Sequence, residues 1–594
     1  MTRTPLRPLA RILRARARGE NPDEIAAENL RKRHEALRDK ARQRAEGRLL
    51  VLGLAFFCAF SVIGMRMGAL ASSVPEEPRA TVAGNPIIGQ RADIVDRNGR
   101  ILATNLATHS LYAHPRDMID PARAARELAA IFPELEQEEL YKDFTGTRRF
   151  LWIRRQISPE QMQAVHDIGS PGLLFGPREM RLYPNGPIAA HVLGGASYGR
   201  EGVASAEVIG VAGVERQFDA FLRDPANEGA PLELSIDLTI QAAAEQVLAG
   251  GMSVMSAKGA AAILMDVHTG EVISMVSLPD FDPNNRPRVL TSGDQSDSPL
   301  FNRAVQGVYE LGSTFKIFAV AQAMELGLIS PDTMIDTQGP LTWGRFRIRD
   351  FHDYGPELST TDVIVESSNV GTARIAMQLG AERQRSFLDA LGFLKPTSIE
   401  LVEGSTGKPL LPPHWSEISA MTISYGHGLS SSPLHLASAY ATIANGGERV
   451  TPTLIRGQDA QPGPRVMSQT VARRSVDMLR QVVSRGTASF GEVTGYQVAG
   501  KTGTADKARE NGGGYYDDKV IATFASVFPA SDPQYVLVVT LDEPSIHTLG
   551  EDRRTAGWTA VPVAAEMIRR VAPLLGLRPH VDTPQPVGVT LTSN

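Results

Sequence analysis

Ser313 and Lys316 stand three residues apart at the start of a segment that stays apolar on almost every side up to Leu328. Such a pattern predicts a helix buried in a large core. On a helix the two side chains lie on one face, one turn apart. Burial lowers the pKa of a lysine because it penalises the charged form, and a neutral amine can then take the proton of a serine hydroxyl. The free N–H groups at a helix start favour the oxyanion formed when a carbonyl is attacked. The pair therefore predicts a serine nucleophile for acyl transfer.

The same spacing occurs again at Ser405 and Lys408. On average composition, Ser-x-x-Lys should arise by chance roughly two or three times in a chain this long. Gly404 precedes the second serine and Pro409 follows the second lysine, which indicates a loop that cannot align the two side chains. We interpret the second copy as a chance match.

Two further polar motifs follow the first pair along the chain. Ser367-Ser368-Asn369 is the only Ser-x-Asn in the sequence, and Lys501-Thr502-Gly503-Thr504 ends an apolar strand. A lysine, two hydroxyls and a glycine on an edge strand can bind a carboxylate and pair with an extended peptide backbone. Glycine also permits close approach of another chain. Taken alone, the first motif is an ordinary polar turn and the second an ordinary strand end.

The other chemistry that the sequence could carry is limited. The net charge of -5 argues against a nucleic-acid binder, and the single cysteine, Cys58, excludes an intramolecular disulfide and a cysteine zinc cluster. No His-Glu-x-x-His zinc motif occurs in the sequence. Of the scattered histidines, His352 and His427 could lie near the site, although structural or surface roles are the simpler interpretation. The sequence implies no cofactor and no metal.

The surrounding pattern predicts the elements that must hold these motifs. Hairpins are expected at 91–103, around an Asn98-Gly99 turn, and at 260–276. Helices are expected over four segments of the chain: 119–144, 158–168, 360–394 and 433–445. Strands are expected at 496–504, 520–528 and 535–541, the first two joined by a polar loop, with a last helix at 562–575. Strands at both ends with helices between them predict an α+β domain with one antiparallel sheet built from both ends.

The N-terminal region predicts the location of the chain. Residues 1–48 carry 14 Arg/Lys against 7 acidic residues, and residues 49–64 carry no charge. Sixteen residues are short for a span, which needs about 20, but Arg66 can snorkel, so 49–70 can cross a bilayer with the basic N-terminus inside. The alternatives are a signal peptide cleaved near Ala69-Leu70-Ala71 and a buried core helix. If 49–70 is an anchor in this orientation, everything after about residue 72 lies outside the cytoplasm.

In their order along the chain, the three motifs match the set known from penicillin-binding proteins and class A β-lactamases. Three further stretches, 91–103, 213–219 and 425–434, resemble those of class B penicillin-binding proteins, and the sequence most resembles the division-specific FtsI type. One departure is visible, because Leu311 stands where the family often has a proline before Gly-Ser. That change concerns the approach to the helix and no reacting group.

The resemblance implies a D,D-transpeptidase that crosslinks the stem peptides of peptidoglycan. Ser313 would attack the D-Ala–D-Ala bond and pass the acyl group to an amine of a neighbouring stem peptide. Lys316 would be the general base, Ser367 the proton relay and Asn369 the contact to the substrate amide. Lys501 would support the charge network, and Gly503 would allow the close approach of the strand. Thr502 and Thr504 would bind the substrate carboxylate. The backbone N–H groups of Ser313 and Thr504 would form the oxyanion hole.

The resemblance also implies an architecture and partners. It implies an α+β protein with a cytoplasmic tail over 1–48 and an anchor over 49–70. An elongated pedestal or dimerisation domain would cover 73–228, a transpeptidase domain of the β-lactamase type 229–577, and a loose tail 578–594. Partners would be stem peptides on lipid-linked precursor strands, β-lactams as inhibitors, the cytoplasmic membrane, and division proteins including a polytopic glycosyltransferase.

The alternatives to a division-specific crosslinking enzyme are an elongation-specific relative, a β-lactamase or D,D-carboxypeptidase, a penicillin-sensing receptor and a scaffold with a dead site. The long pedestal and the cytoplasmic tail favour a synthase over a hydrolase. The intact motif set argues against the scaffold.

Overall fold

The computed structural model describes residues 51–65, 91–201, 206–457, 463–509, 514–548 and 550–580, with scattered residues before 51. The chain divides into two compact units, Met1–Arg79 and Ala80–Asn594. In the first unit, residues 51–65 are helical. Within the described ranges, no helix has the length and apolarity that a membrane crossing requires. Residues 49, 50 and 66–70 of the expected anchor, residues 71–90, and residues 581–594 of the expected tail lie outside the described residues.

The second unit is a mixed α and β structure. Its strands in chain order are β1 to β18: Ile94–Val95, Ile101–Ala113, Leu151–Ile157, Leu173–Leu182, Gly195–Glu201, Ala206–Ala212, Leu232–Glu233, Gly259–Asp266, Val272–Leu278, Met334–Asp336, Leu341–Trp343, Phe346–Ile348, Glu357–Ser359, Ala499–Ala508, Tyr515–Phe528, Tyr535–Asp542, Ile546–Thr548 and Glu551–Arg553. Its α-helices in chain order are α1 to α15: Pro121–Ile131, Gln137–Phe144, Pro159–Asp167, Ala190–Leu193, Gly213–Gln217, Asp219–Leu222, Leu238–Val254, Lys316–Glu325, Thr360–Val365, Asn369–Leu379, Ala381–Leu391, Glu417–Ser424, Pro433–Ala444, Gln469–Arg485 and Ala560–Leu574. Short 3-10 turns cover Pro115–Asp117, Pro225–Asn227, Pro283–Asn285, Gln295–Asp297, Gly312–Phe315, Val402–Ser405 and Ser489–Gly491.

The sheet at the centre of the catalytic part is antiparallel and has the order β14-β15-β16-β8-β9. Strands from the two ends of the segment meet where β16 pairs with β8, so the expectation of one sheet built from both ends is confirmed. β14 forms one edge of this sheet. An edge strand keeps unpaired backbone groups along its outer side, and this edge carries the Lys-Thr-Gly motif.

The helices around the sheet form a large core in which two helices, α8 and α13, are buried. Every residue of α13 is buried, and α8 is buried from Lys316 to Met324. Helix α13 packs on β8, β15 and β16, while α7 and α15 pack on each other and on the sheet. A helix that is apolar all round needs a core on every side, and α8 meets that condition. The nucleophile candidate therefore begins an element that cannot shift without disturbing the core.

The pedestal part is a smaller sheet with its own apolar cluster. The long strand β2 pairs with β1, β3 and β4, and helices α1 to α3 pack beside it. The turn between β1 and β2 contains Asn98-Gly99, and Gly99 has a φ of +79°, so the hairpin expected there is confirmed. β1 also pairs with β7, which leads into the catalytic part.

Several expected helices have different bounds in the structure. The segment 119–144 is two helices, since Pro133 interrupts the pattern after α1. The segment 360–394 is three helices, α9 to α11, with Ser367 at the first break and Gly380 at the second. Helices α7, α12 and α14 were not expected from the sequence. β14 begins at Ala499, later than the expected start at 496.

A buried ion cluster joins the start of the pedestal to α5. Arg91 and Arg181 both donate to Glu215, at 2.7 Å each, and the side chains of Arg91 and Glu215 are 2% and 0% exposed. Tyr183 also donates to Glu215, at 3.2 Å. Removing one partner of a buried pair leaves uncompensated buried charge, which costs about 3–5 kcal/mol.

We expect Glu215→Ala to lower the free energy of unfolding by that amount, because Arg181 would lose its carboxylate and Arg91 would keep only that of Asp219. Thermal unfolding followed by circular dichroism measures the change. The matched control is Glu127→Ala, which removes the exposed pair with Arg123 on α1 and should cost less than about 1 kcal/mol. Equal effects of the two variants would contradict the prediction.

Candidate active site

The nucleophile candidate lies at the junction of two helix types. Ser313 is half-buried in the 3-10 turn Gly312–Phe315, and α8 follows directly from Lys316. A 3-10 helix has three residues per turn, so side chains at positions i and i+3 eclipse each other. Ser313 and Lys316 therefore share one face, as the spacing predicted, although the turn between them is tighter than the α-helical turn expected.

Lys316 and Lys501 converge on one hydroxyl. Both side chains are fully buried, and the Nζ atom of each lies 3.0 Å from Ser367 Oγ. Lys316 Nζ also donates to the carbonyl oxygen of Ser367, and Lys501 Nζ donates to the carbonyl oxygen of Thr502 at 3.2 Å. The structure thus brings residues from three distant parts of the sequence into one hydrogen-bonded group.

Burial controls the charge of the two lysines. Burial lowers the pKa of Lys316 well below the ordinary lysine value, the nearby charge of Lys501 lowers it further, and Asp350 opposes the shift. Burial also lowers the pKa of Lys501 to about 7. Both shifts favour the neutral amine beside Ser367, which is the state that a general base requires.

Ser367 sits in a backbone conformation that is rare for a residue with a side chain. Its φ is +66°, in the left-handed region, which costs a non-glycine residue of order 1–3 kcal/mol. Ser368 begins α10 as its N-cap and accepts a hydrogen bond from the backbone N–H of Gly371. The strained residue is held between α9 and α10, and this geometry aims its hydroxyl at the two lysines.

Asp350 holds this turn from the other side. Its carboxylate accepts hydrogen bonds from Ser368 Oγ at 2.7 Å and from the backbone N–H groups of Asn369 and Val370. The start of a helix favours a negative charge, and charge-assisted bonds are short and strong. The sequence pattern did not point to Asp350, since it belongs to a polar loop and to none of the three motifs.

Asn369 lies beside the same loop. Its side-chain N–H donates to the carbonyl oxygen of Arg349 at 3.0 Å. No partner for its side-chain carbonyl oxygen is found among the residues that the structure describes. That oxygen is an acceptor suited to a substrate N–H, the contact predicted for Asn369.

We expect Asp350→Asn to slow acylation of the serine by about tenfold, because a carboxylate that holds three donors is replaced by a neutral amide. Stopped-flow acylation with a fluorescent penicillin measures the rate. Asp353→Asn is the matched control, since Asp353 accepts only the backbone N–H of Gly355 in the described contacts. A loss of the same size in the control would contradict the role assigned to Asp350.

The edge strand β14 closes the other side of the site. A Cβ on Gly503 would lie 2.1 Å from the carbonyl oxygen of Leu311, and a Cβ on Gly312 would lie 3.0 Å from the backbone nitrogen of Thr504. The strand therefore passes in direct contact with the turn that bears Ser313. This is the close approach predicted for Gly503, and it places the Thr504 backbone beside that turn.

The two threonines of the strand have different surroundings. Thr502 is 8% exposed, and its hydroxyl lies 2.9 Å from that of Thr487. Thr504 is half-buried, and its hydroxyl accepts the backbone N–H of Ala556 at 3.0 Å. Of the two hydroxyls predicted to bind a substrate carboxylate, that of Thr504 is the more accessible.

The second Ser-x-x-Lys copy has none of this geometry. Ser405 is exposed in a 3-10 turn and donates to the carbonyl oxygen of Val402. Lys408 is exposed in the loop that follows. The interpretation of this copy as a chance match is consistent with both placements.

Comparisons with known proteins agree with this arrangement. The model of the penicillin binding protein transpeptidase domain matches residues 260–568, and that of the penicillin-binding protein dimerisation domain matches residues 86–228. A probable peptidoglycan D,D-transpeptidase FtsI of Caulobacter vibrioides is 34% identical over 92% of this chain and 91% of its own length. The peptidoglycan D,D-transpeptidase FtsI of Escherichia coli K12 is 29% identical over 83% of this chain and 85% of its own.

A solved structure shows the same likeness in three dimensions. The crystal structure of penicillin binding protein 3 from Mycobacterium tuberculosis in complex with aztreonam superposes with a TM-score of 0.63 and 27% identity. The match covers 83% of this chain and 98% of that one.

Proposed function

The chain belongs to the class B penicillin-binding proteins of the FtsI type, and on that premise we propose that Ser313 forms the acyl-enzyme of a peptidoglycan D,D-transpeptidase at the division septum. The observation that carries the assignment is the convergence of Lys316 and Lys501 on Ser367 within the core, next to the turn that bears Ser313. The elongation role, the alternative considered from the sequence, is not favoured by the relatives.

The first half of the reaction is acylation. Neutral Lys316 takes the proton of Ser313 while Oγ attacks the carbonyl of the penultimate D-Ala. The oxyanion is held by the backbone N–H groups of Ser313 and Thr504, a pairing supported by the contact of Gly312 with the Thr504 backbone. The proton then passes through Ser367 to the leaving nitrogen, and the terminal D-Ala departs.

Substrate binding uses the two walls of the site. The donor stem peptide lies along the open edge of β14, as an added strand would. The Asn369 side-chain oxygen accepts a substrate N–H, and the Thr504 hydroxyl binds the terminal carboxylate, with Thr502 behind it. Lys501 supports the charge around Ser367. A β-lactam acylates the same serine because it presents a strained amide to the same groups.

Mass spectrometry of the full-length protein with a labelled penicillin tests the assignment. We expect one adduct, on Ser313, that hydrolyses slowly. Label on another residue or no label would overturn the mechanism, and rapid turnover of the penicillin would favour a β-lactamase. Depletion of the protein in its host should give filaments, whereas round cells would indicate an elongation role.

We also propose that residues 49–70 anchor the chain in the cytoplasmic membrane, with the N-terminus inside and Ser313 outside. The charge-free run 49–64 after a basic region supports this orientation. Division proteins, including a polytopic glycosyltransferase, would then meet the pedestal. Protease added to spheroplasts should digest the catalytic part and spare an epitope tag at the N-terminus. Protection of the catalytic part would contradict the proposal.

A further inference from the structure

The second half of the proposed reaction requires a place for the acceptor strand. The acceptor amine attacks the acyl carbon and forms the new C–N bond, while the bond from that carbon to Ser313 Oγ breaks. The proton of the amine must return to Oγ, and the groups that can carry it are Lys316 and Ser367. The amine must therefore arrive beside the turn that bears Ser367. This inference rests on the proposed function.

A cavity of about 550 Å³ lies next to that turn. Two chain segments line it, residues 337–340 and 349–356. The two segments are tied together where the backbone N–H and the hydroxyl of Thr337 donate to the carbonyls of Pro356 and Gly355. The cavity adjoins the site, because the Asp350 carboxylate holds Ser368 and the backbone carbonyl of Arg349 accepts from Asn369, a contact that does not use the Arg349 side chain.

The lining combines charge with an unusually exposed ring. Arg349 is exposed and has no carboxylate partner within the ranges that the structure describes, and Phe351 is 83% exposed. The ring of Phe351 stands 4.8 Å from that of His352. Leaving a phenylalanine in water forgoes the burial that normally stabilises it. A pocket that combines apolar side chains with a few polar or charged groups is the usual form of a ligand site.

We propose that this cavity binds the stem peptide of the acceptor strand. The guanidinium of Arg349 receives a carboxylate of that peptide, and Phe351 covers its aliphatic part. The peptide's free amine then points past Asn369 to the acyl carbon on Ser313. The donor peptide lies along β14, on the other side of the nucleophile, so both strands are bound at once.

The test separates acceptor binding from acylation. Full-length Arg349→Ala/Phe351→Ala is compared with Arg345→Ala/Phe346→Ala, a pair of the same residue types in the adjoining hairpin but outside the cavity lining. A thioester donor supplies the acyl group. The acceptors are synthetic L-Ala-γ-D-Glu tripeptides ending in meso-diaminopimelate or in L-lysine, with free glycine as a small amine.

For the cavity variant we expect penicillin acylation, thioester hydrolysis and aminolysis by glycine to stay within twofold of the wild type. Aminolysis by the better tripeptide should fall at least tenfold. The control variant should keep all four rates.

An unchanged tripeptide rate in the cavity variant overturns the inference. A wild type that uses neither tripeptide better than glycine overturns it as well. An equal fall in penicillin acylation also overturns it, because the lining would then only support the Ser367 turn. A wild type that is not acylated on Ser313 overturns the proposed function itself.

Discussion

Ser313→Ala is expected to abolish penicillin labelling and to lower the crosslinking rate by about 10⁶-fold, the size of loss seen when a serine hydrolase loses its nucleophile. Gel fluorescence with a labelled penicillin and chromatography of crosslinked muropeptides measure the two losses. The variant should keep its unfolding temperature, because Ser313 is half-buried and belongs to a turn whose other residues fill the core.

Ser405→Ala is the matched control for this prediction. It removes a serine with the same spacing to a lysine, yet one that is exposed and bonded to its own turn. We expect labelling and crosslinking to remain at the wild-type level. Labelling that survives in Ser313→Ala and disappears in Ser405→Ala would reverse the assignment.

Lys316→Ala is expected to slow acylation by about 10²–10⁴-fold, the usual contribution of a positioned general base. The effect should be on the acylation rate constant more than on the affinity for penicillin, because Lys316 lies behind the nucleophile in the core. Lys408→Ala, the lysine of the chance match, should leave the rate unchanged. A weaker affinity with an unchanged rate constant would show that Lys316 only binds the inhibitor.

The pH dependence of acylation tests the same base independently. The rate should fall as the pH drops through the folded pKa of Lys316, since a protonated amine cannot accept a proton. Burial, helped by Lys501, lowers that pKa, so the fall should occur well below pH 10.5. Lys501→Met removes the neighbouring charge and should move the fall in rate to higher pH. Asp350→Asn removes the opposing charge and should move the fall in rate to lower pH.

The sequence predicted the catalytic part well where local pattern and tertiary structure agree. Strong apolar runs marked β8, β9, β15 and β16, and the apolar surroundings of Ser313 marked the core helix. Context also separated Ser313 from Ser405, because glycine and proline beside the second motif disrupt a helix. The order of the three motifs, known from a resemblance, then connected residues that are almost 200 positions apart.

The remaining features depend on contacts that no local pattern records. Asp350 contributes to the site because the fold places its carboxylate at the start of α10, beside Asn369, which lies some twenty residues further along the chain. The positive φ of Ser367 follows from the helices on either side, since serine itself does not favour that conformation. Helix α14 was missed although its apolar stripe is regular, and its frequent arginines give it a polar appearance in the linear sequence.

The close packing of three glycines around the nucleophile limits how this chain can evolve. A Cβ would come within 1.8 Å of Gly312 O at Gly426 and within 2.1 Å of Leu311 O at Gly503, and Gly312 itself is pressed against Thr504. Any side chain at these positions would displace Ser313 and so slow its reaction with the substrate as well as with the antibiotic. A substitution at these glycines that protects against β-lactams would therefore also impair wall synthesis. We therefore expect inherited resistance to arise at positions other than these three glycines.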